Sequence, residues 1–370
     1  RFPDVPGVVI AHRPQSEGVY IGSPSLVSLG DGALLASHDE FGPKSTEHVR
    51  ATTHVFRSRD AGVTWSHVAT VEGQFWSTLF VHRSAVYLLG VDKHHGNVVI
   101  RRSDDEGTSW TSPDAAHAGL IAEGQYHCGP QPILEHDGRL WRAMEDAAGG
   151  ERWGERYRPL LMSAAIDANL LDRKSWTLTN YVSVEQNWLN GQLRGLLEGN
   201  AVKAPTGEVV NILRVAATQS VANTAATLRF DRAAQRLAFD PERDFIEFPG
   251  GSKKFTIRYD ATSQRYWALT NWVRPELVGV RSASAIRNTL TLVSSADLRR
   301  WRIDRVIIQD DDLGHGYQYP DWQIEGDSLI AVVRTAAEDG VGGPHNYHDA
   351  NFLTFHRIEA FRDPPQELAR

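Results

Sequence analysis

The octapeptide SRDAGVTW, from Ser58 to Trp65, is followed by a second copy, SDDEGTSW, from Ser103 to Trp110. A shortened relative, SSADLRRW, occupies Ser294 to Trp301, and a stretched one occupies 163–180. Ser and Asp side chains hydrogen-bond nearby backbone amides in tight turns, and Gly accepts a positive φ. We therefore interpret the unit as a β-hairpin turn whose Trp begins the next strand. Its repetition predicts a repeat architecture.

Short apolar or alternating runs separated by Gly, Asp or Asn turns recur along the whole chain. They group into six hairpin-plus-hairpin units, at about 20–71, 76–115, 125–180, 195–240, 245–309 and 317–358. Each unit predicts one four-stranded blade of an all-β propeller. The N-terminal run PGVVIAH would supply the last strand of the final blade and close the ring. No low-complexity linker divides the chain, so we expect a single domain over 1–370.

Composition excludes several classes of partner. The net charge of -7 gives no electrostatic support for nucleic-acid binding. No run approaches the roughly 20 apolar residues of a membrane span. The single cysteine, Cys128, excludes an intrachain disulfide, and it has no second pair of ligands for a classical zinc site. We expect a monomer that binds neither nucleic acid nor membrane.

Polar and aromatic residues cluster at the start of each unit, where the innermost strands of a propeller surround a central channel. Each of these residues alone is a weak indication of a site. His82 is equally typical of a buried histidine that has a hydrogen-bond partner, and Tyr319 of a residue that packs in the core. Together, cations, imidazoles, carboxylates and aromatics at one end of one ring predict a site for an acidic sugar.

The repeated turn resembles the Asp-box of sialidases and related β-propellers. Sialidases use three arginines for the substrate carboxylate, a Tyr/Glu nucleophile pair and an Asp acid. Their early Arg-Ile-Pro signature is absent here, since the corresponding region is YIGSPSLVSL. The sequence therefore argues against a classical sialidase.

A more specific resemblance rests on segments spread over about 7–362, among them GQFWSTLFVH, YHCGP, LLEGNAV, FPGGSKKFTIRYD, YQYPDW and HDANFLTFHRI. They resemble the propeller enzymes that act on L-rhamnosyl-α-1,4-D-glucuronic acid ends of arabinogalactan and gum arabic side chains. That group is seven-bladed, which favours seven blades over the six counted. It contains lyases with a site in the central funnel and α-L-rhamnosidases that use a histidine on the opposite, posterior face.

The resemblance implies a secreted or periplasmic polysaccharide lyase that removes terminal L-rhamnose by β-elimination and leaves an unsaturated uronate. An α-L-rhamnosidase and a non-catalytic carbohydrate-binding propeller are the alternatives. A lyase must neutralise the uronate carboxylate, and the candidates are Arg102, Arg142, Lys254 and Arg258. The candidate bases are His82 and His127, and the candidate proton donors are Tyr126 and Tyr319. Residues expected to position the sugar are Trp76, Gln318, Asp321, His345 and His348.

Two further expectations follow from the resemblance. A rhamnosidase would depend on a histidine remote from the funnel, for which His12 is the candidate and His38 a weaker one. No cofactor is required by the sequence, but Ca²⁺ in the funnel is compatible with the group. Its loose candidate ligands are Glu198, Asp321 and His348, although a hard cation prefers oxygen to imidazole.

Overall fold

The computed structural model describes residues 2–185, 187–218 and 221–364. Within these residues the chain forms 26 strands in six antiparallel sheets. Helical structure is limited to a short α1 (Trp188–Gly191) and to 3₁₀ turns at Gln15–Glu17, Arg173–Ser175, Pro275–Leu277 and Ala283–Ala285. None of the described helices has the length and apolarity needed to cross a membrane.

The strands follow one another around the ring, blade by blade. Strand β1 is Val8–His12. Blade one contains β2 (Tyr20–Ser28), β3 (Leu34–Phe41), β4 (Thr52–Ser58) and β5 (Ser66–Glu72). Blade two contains β6 (Phe75–His82), β7 (Ala85–Val91), β8 (Val98–Ser103) and β9 (Leu120–Ala122). Blade three contains β10 (Tyr126–His127), β11 (Leu134–His136), β12 (Arg139–Asp146), β13 (Arg158–Ala165) and β14 (Trp176–Leu178).

The second half of the ring has the same organisation. Blade four contains β15 (Leu193–Lys203), β16 (Val209–Ala217), β17 (Thr224–Asp231), β18 (Arg236–Ala238) and β19 (Phe245–Glu247). Blade five contains β20 (Thr256–Asp260), β21 (Arg265–Asn271), β22 (Thr289–Ser295) and β23 (Arg302–Gln309). Blade six contains β24 (Gly316–Glu325), β25 (Ser328–Ala336) and β26 (Phe352–Ile358), and β1 pairs with β26 as its outermost strand.

The six-blade count and the closing N-terminal strand are both confirmed. The preference for seven blades is wrong, because the described part of 181–245 contributes strands only to the sheet of blade four. There β18 and β19 both pair with β17, and together they take the outermost position. Arg1 and 365–370, the ends of the expected 1–370 domain, lie outside the described residues.

The repeated octapeptide forms the predicted turn. Ser58 Oγ donates to Asp60 Oδ1 at 2.8 Å and accepts the amide of Gly62 at 2.9 Å. The other end is held by the amide of Thr64, which donates to Asp60 Oδ1 at 2.8 Å, and by Trp65 Nε1, which donates to the Gly62 carbonyl at 3.0 Å. The side chains of the turn therefore satisfy its own backbone and leave no group free for chemistry.

The tryptophan of each turn packs against the preceding blade. Trp65 of blade one lies 5.5 Å from the ring of Phe355 in blade six. Trp110 packs among apolar residues of blades one and two, Trp176 among those of blades two and three, and Trp301 among those of blades four and five. The motif therefore joins neighbouring blades, and the apolar core lies in the interfaces between sheets.

Gly62 provides a test of this interface. Its φ is +90°, and an added Cβ would lie 2.2 Å from the ring of Phe355. Gly138 also has a positive φ, +68°, but an added Cβ would meet no atom within 4 Å. We expect Gly138→Ala to lower the free energy of unfolding by about 1 kcal/mol through backbone strain alone, and Gly62→Ala to lower it by about 3 kcal/mol. Urea denaturation measures both, and equal losses would contradict tight packing between these blades.

Candidate active site

A cavity of about 320 Å³ lies at the end of the ring where the first strands of the blades begin. We call this cavity the funnel. The side chains that line it include Asp39, Trp76, His127, Trp153, Tyr157, Glu198, Arg214, Arg287, Tyr319, Arg334 and His348. They come from all six blades or from the loops beside them, so that only the closed ring brings them together.

A β-bulge in several inner strands aims side chains into the funnel. The pairing register shifts between Phe75 and Thr78 in β6, between Leu197 and Asn200 in β15, and between Gln318 and Asp321 in β24. Inside these bulges Trp76, Glu198 and Tyr319 have φ values of 49°, 56° and 53°. A bulge inserts an unpaired residue and redirects its side chain. The same local distortion thus places an aromatic residue, a carboxylate and a phenol in one cavity.

Tyr319, Glu198 and Arg214 form a buried triad in the funnel. The hydroxyl of Tyr319 donates to Glu198 Oε1 at 2.6 Å, and Arg214 donates to Glu198 Oε2 at 2.9 Å. Arg214 also lies 3.5 Å from the hydroxyl oxygen of Tyr319. The phenol is therefore hydrogen-bonded to a carboxylate that can accept its proton.

The environment sets the protonation of this triad. Burial would raise the pKa of Glu198, but the charges of Arg214 and His127 and the Tyr319 hydroxyl lower it overall. Burial and the charge of Glu198 raise the pKa of Tyr319. At neutral pH the pair is thus a carboxylate and a neutral phenol, which is the state in which Glu198 can act as a base.

Two further arginines face the triad. The guanidinium carbons of Arg287 and Arg334 lie 5.6 and 5.0 Å from the centre of the Tyr319 ring. Burial lowers the pKa of Arg287 to about 10, which leaves it charged at neutral pH. Neither arginine forms an ion pair with a carboxylate of the described residues, and Nε of Arg334 is buried without a hydrogen bond. The funnel therefore has an excess of buried positive charge, which favours an anionic ligand.

Asp39 lies in the funnel wall as a potential proton donor. Its Oδ2 accepts the amide of Trp76 at 2.7 Å, while Oδ1 is buried without a hydrogen bond. Burial raises the pKa of Asp39 to about 7. A carboxyl group that keeps its proton near neutral pH, beside a cavity, has the properties of a general acid.

An aromatic wall completes the funnel. His127 Nδ1 lies 2.8 Å from Glu145 Oε2, and its ring is 4.4 Å from Trp76 and 4.3 Å from Tyr157. Trp153, about half exposed, stands at the mouth. Such a wall offers flat apolar surface for a sugar ring, with an imidazole held in one orientation by a buried carboxylate.

Four of the residues expected at the site line the funnel: Trp76, His127, Tyr319 and His348. Two more lie beside it. Gln318 accepts a hydrogen bond from Arg287 and donates to the carbonyl of Tyr347 at 2.5 Å. His345 is exposed and lies 2.6 Å from Asp349. Gln318 therefore holds the side chain of Arg287 in position and does not itself line the funnel.

The structure does not bring His82 to the funnel. His82 ends β6, six residues beyond Trp76, and a strand rises about 3.3 Å per residue, so the two lie about 20 Å apart. Its Nε2 contacts the carbonyl of Ile166 at 2.9 Å. Arg258 lies towards the same far end, where it donates to the carbonyl of Trp322. His82 is thus no candidate for the base of a funnel reaction.

Arg142, Lys254 and Asp321 are buried around the axis, where they fasten the inner strands. Arg142 donates to two backbone carbonyls at 2.6 and 2.8 Å. Lys254 donates to the carbonyl of Pro320 at 2.7 Å, and burial lowers its pKa to about 7. Asp321 accepts the hydroxyl of Ser25 at 2.8 Å. Arg142 and Lys254 are thus committed to backbone carbonyls and not to a substrate carboxylate, and Asp321 is committed to Ser25 and not to a sugar hydroxyl.

Two other predicted residues also lie away from the funnel. Arg102 is on β8, the third strand of its blade, and donates to Asp104 at 2.9 Å on the outer surface. Tyr126 packs, half buried, in the apolar interface between blades two and three. Arg102 is too far out in its blade to reach the axis, whereas Tyr126 is on the innermost strand β10 but points to the opposite side of the sheet from its neighbour His127.

His12 is not on the posterior face. It pairs with Phe352, the first residue of β26, and contacts Asp339 at 2.9 Å. These residues adjoin the loop that carries His348, at the funnel end of the ring. His38 is buried, with Nδ1 3.0 Å from the carbonyl of Asp39. Neither histidine is placed as a posterior site would require.

The loose calcium candidates do not come together. Glu198 is paired with Arg214, Asp321 with Ser25, and His348 Nδ1 lies 2.8 Å from Asp349. Each oxygen ligand thus already has a protein partner among the described residues, and the structure offers no support for Ca²⁺ at these positions.

Asp39, Arg214, Arg287 and Arg334 were not predicted at the site, and the only role assigned to Glu198 was that of a metal ligand. One signal was present. Arg214 in NILRVA and Arg334 in AVVRT each stand alone within an apolar strand. A lone charge in such a strand is expected to be buried, and buried charges concentrate at functional sites.

Comparison with known proteins supports the fold. No family model and no curated protein sequence matches the chain. Among solved structures, the α-L-arabinanase of Penicillium chrysogenum has a TM-score of 0.59 at 14% identity, covering 97% of this chain and 99% of that one. An α-L-arabinofuranosidase from Fusarium graminearum has a TM-score of 0.58 at 12% identity, covering 95% and 96%.

Sialidases have the same architecture. A Hadza microbial sialidase has a TM-score of 0.62 at 11% identity, covering 95% of this chain and 68% of that one. The Trypanosoma rangeli sialidase has a TM-score of 0.58 at 14% identity, covering 94% and 55%. At these identities the likeness shows a shared propeller fold, and the function must be argued from the site.

The raised pKa of Asp39 has a consequence for stability. Between about pH 4 and pH 7 the folded protein keeps a proton that the unfolded chain releases, so this group lowers the free energy of unfolding as the pH rises. We expect the free energy of unfolding of Asp39→Asn, relative to that of the wild type, to rise by up to about 4 kcal/mol between pH 4 and pH 8. Denaturant titration at each pH measures it, with exposed Asp114→Asn as the control. Parallel curves for Asp39→Asn and the wild type would contradict the buried, protonated carboxyl.

Proposed function

We propose that the protein is a retaining, exo-acting glycoside hydrolase that removes a terminal sugar bearing a carboxylate. The observation that carries the proposal is the excess of buried positive charge around a hydrogen-bonded Tyr319–Glu198 pair. Arg287 and Arg334 lack carboxylate partners within the described chain, and a substrate carboxylate would supply one. The fold, shared with glycosidases of known structure, is compatible with this activity.

The position of the arginines suggests which acidic sugar is bound. Arg214 lies 3.5 Å from the hydroxyl oxygen of Tyr319, the atom that would attack the anomeric carbon. A carboxylate held there must be attached to the anomeric carbon or lie next to it, as in 2-ulosonic acids of the sialic acid type. A carboxylate nucleophile would be repelled by such a substrate, whereas a neutral phenol paired with a base would not. A uronate, with its carboxylate across the ring, is the second choice.

The chemistry proceeds in two displacements. In the first, Tyr319 Oη attacks the anomeric carbon, Glu198 accepts the phenolic proton, and Asp39 protonates the departing glycosidic oxygen. In the second, Asp39 removes a proton from water, the water oxygen attacks the anomeric carbon, and the phenolate leaves and recovers its proton from Glu198. The configuration is retained because two inversions occur.

The missing Arg-Ile-Pro signature does not exclude this activity. The three arginines of the funnel, Arg214, Arg287 and Arg334, belong to blades four, five and six, whereas that signature lies in the first blade. At the corresponding bulge of β2 the chain has Gly22 and Ser23. An arginine triad is thus available from a different set of strands.

The lyase that the sequence favoured remains the second candidate, and one contact supports it. His127 is oriented by Glu145 at 2.8 Å and stacks on Tyr157, so an imidazole and a phenol lie side by side in the funnel. Elimination from a rhamnosyl-glucuronate end would need a base and a proton donor of these types. The hydrolase is preferred because Asp39, Glu198 and Tyr319 together supply a complete acid, base and nucleophile.

A panel of terminal acidic glycosides tests the function. We expect release of a sialic-type sugar from its α-glycoside, with the α-anomer as the first product in a proton NMR time course. Ultraviolet absorbance from an unsaturated uronate, given a rhamnosyl-glucuronate oligosaccharide, would establish the lyase instead. Release of rhamnose without that absorbance would establish a rhamnosidase, and binding without any product would establish a carbohydrate-binding propeller.

Two variants test the assigned roles by kinetics. Tyr319→Phe should lower kcat by about 10³-fold or more on every substrate, since the nucleophile is lost. Asp39→Asn should lower kcat by about 10²- to 10⁴-fold on a natural glycoside but much less on one whose phenolic leaving group needs no proton. Activity of the wild type should fall as the pH rises above about 7, where Asp39 loses its proton. Equal losses of Asp39→Asn on both substrates would contradict the acid role.

Arg287→Ala serves as the test of carboxylate binding, and it should raise KM by about 10- to 100-fold, because a charge-assisted hydrogen bond is worth about 1.5 to 3 kcal/mol. Arg102→Ala, which removes a partly exposed arginine from the outer surface, is the matched control and should leave KM unchanged.

A further inference from the structure

Two loops at the edge of the funnel bring together a carboxylate and two imidazoles. Glu47 and His48 come from the loop between β3 and β4, and His94 from the loop between β7 and β8. One ligand atom of each residue lies within 4.8 Å of those of the other two. The amide of His94 donates to the carbonyl of Glu47 at 2.7 Å, so the two loops are joined by backbone at the same point.

The polar atoms of this cluster have few hydrogen-bond or ion-pair partners among the described residues. Nδ1 of His94 is buried and makes no hydrogen bond. The side chain of Glu47 is only 13% exposed, and its ion-pair contacts within the described residues are with His48 and His94 alone. A nearly buried carboxylate without a Lys or Arg partner, beside an imidazole nitrogen without a donor or acceptor, is a costly arrangement unless a cation binds between them.

We propose that Glu47, His48 and His94 bind a divalent transition metal, with Zn²⁺ as the preferred ion. Glu47 Oε1 is 3.3 Å from His48 Nε2, and Glu47 Oε2 is 3.7 Å from His94 Nδ1. Ligands at Zn–N and Zn–O distances of about 2.0 to 2.2 Å in a tetrahedron are separated by about 3.3 to 3.5 Å. The two contacts are near that spacing, each through a different oxygen of Glu47, and the three ligand atoms lie within 4.8 Å of one another. The exposed side chain of His48 can turn to bring its nitrogen to the ion.

The donor set selects the type of metal. Two imidazoles and one carboxylate suit Zn²⁺ and similar ions, whereas Ca²⁺ and Mg²⁺ prefer oxygen ligands throughout. Three protein ligands leave a fourth position open. Glu47 and His94 both line the funnel, so a water in that position would face the cavity.

A second group of histidines does not have this geometry. His54 contacts Glu40 through Nε2 at 2.7 Å and His67 through Nδ1 at 3.2 Å. The two partners are therefore on opposite sides of one ring and do not converge on a common point. Glu40 is also neutralised by Arg13. This group serves as an internal control for the metal site.

A bound metal would tie the loops of blades one and two together. His94 packs 4.9 Å from the ring of Trp76, so the ion would also hold one wall of the funnel. The metal site is inferred from its own ligands and does not depend on the proposed hydrolase activity.

The test measures Zn²⁺ binding to the full chain, stripped with a chelator and dialysed. We expect one Zn²⁺ per chain by isothermal titration, no competition from Ca²⁺, and a rise of about 3 °C in Tm at a hundredfold excess over Kd. Co²⁺ at the same site should give the visible d–d bands of a four-coordinate ion with nitrogen ligands. Absence of Zn²⁺ binding to the wild type would overturn the proposal.

Variants locate the ion. His48→Ala should raise Kd about 100-fold or more, and since that side chain is 70% exposed its loss should not disturb folding. Glu47→Gln should act in the same direction. His67→Ala and His117→Ala, which remove histidines outside the cluster, should bind Zn²⁺ as the wild type does. Unchanged binding by His48→Ala, or binding lost in His67→Ala, would place the metal elsewhere and refute the assignment.

Discussion

The recurrent β-bulge in the inner strands is the constraint on which the site depends. Trp76, Glu198 and Tyr319 each occupy a bulge with a positive φ, a conformation that costs a residue with a side chain about 1 to 3 kcal/mol. The strained residues are retained by contacts between blades, such as Asp39 to the amide of Trp76 and Tyr319 to Glu198. Ring closure and the bulges thus support one another, because each bulge is held by a different blade.

Burial and neighbouring charges give the two carboxyl groups of the funnel, Glu198 and Asp39, different protonation states. Within one cavity burial raises the pKa of Asp39, whereas for Glu198 the effect of burial is outweighed by the charge of Arg214, so that the pKa of Glu198 is lowered. Two carboxyl groups of similar intrinsic acidity are thereby separated into a base and an acid. The same positive field would hold the substrate carboxylate next to Tyr319, so that binding and activation use the same residues.

The errors in the site prediction have a common physical origin. A strand runs from one end of the channel to the other, and sequence proximity does not distinguish the ends. Trp76 and His82 belong to the same strand, yet one borders the funnel and the other lies about 20 Å away. Lys254 was predicted to neutralise the substrate carboxylate and Asp321 to position the sugar, but the structure pairs Lys254 with the carbonyl of Pro320, and Asp321 with the hydroxyl of Ser25.

The sequence by itself determined the blade pattern, the hairpin turns and the closing N-terminal strand, because these depend on local periodicity and on turn residues within a few positions of one another. It also indicated that charged and aromatic residues would meet at one end of the ring. Only the tertiary structure decided which of them meet. Arg214, Arg287 and Arg334 lie in three different blades and converge through ring closure, and the bulges that aim Glu198 and Tyr319 inward depend on cross-strand register. Register and closure are set by contacts between distant segments, which no local pattern encodes.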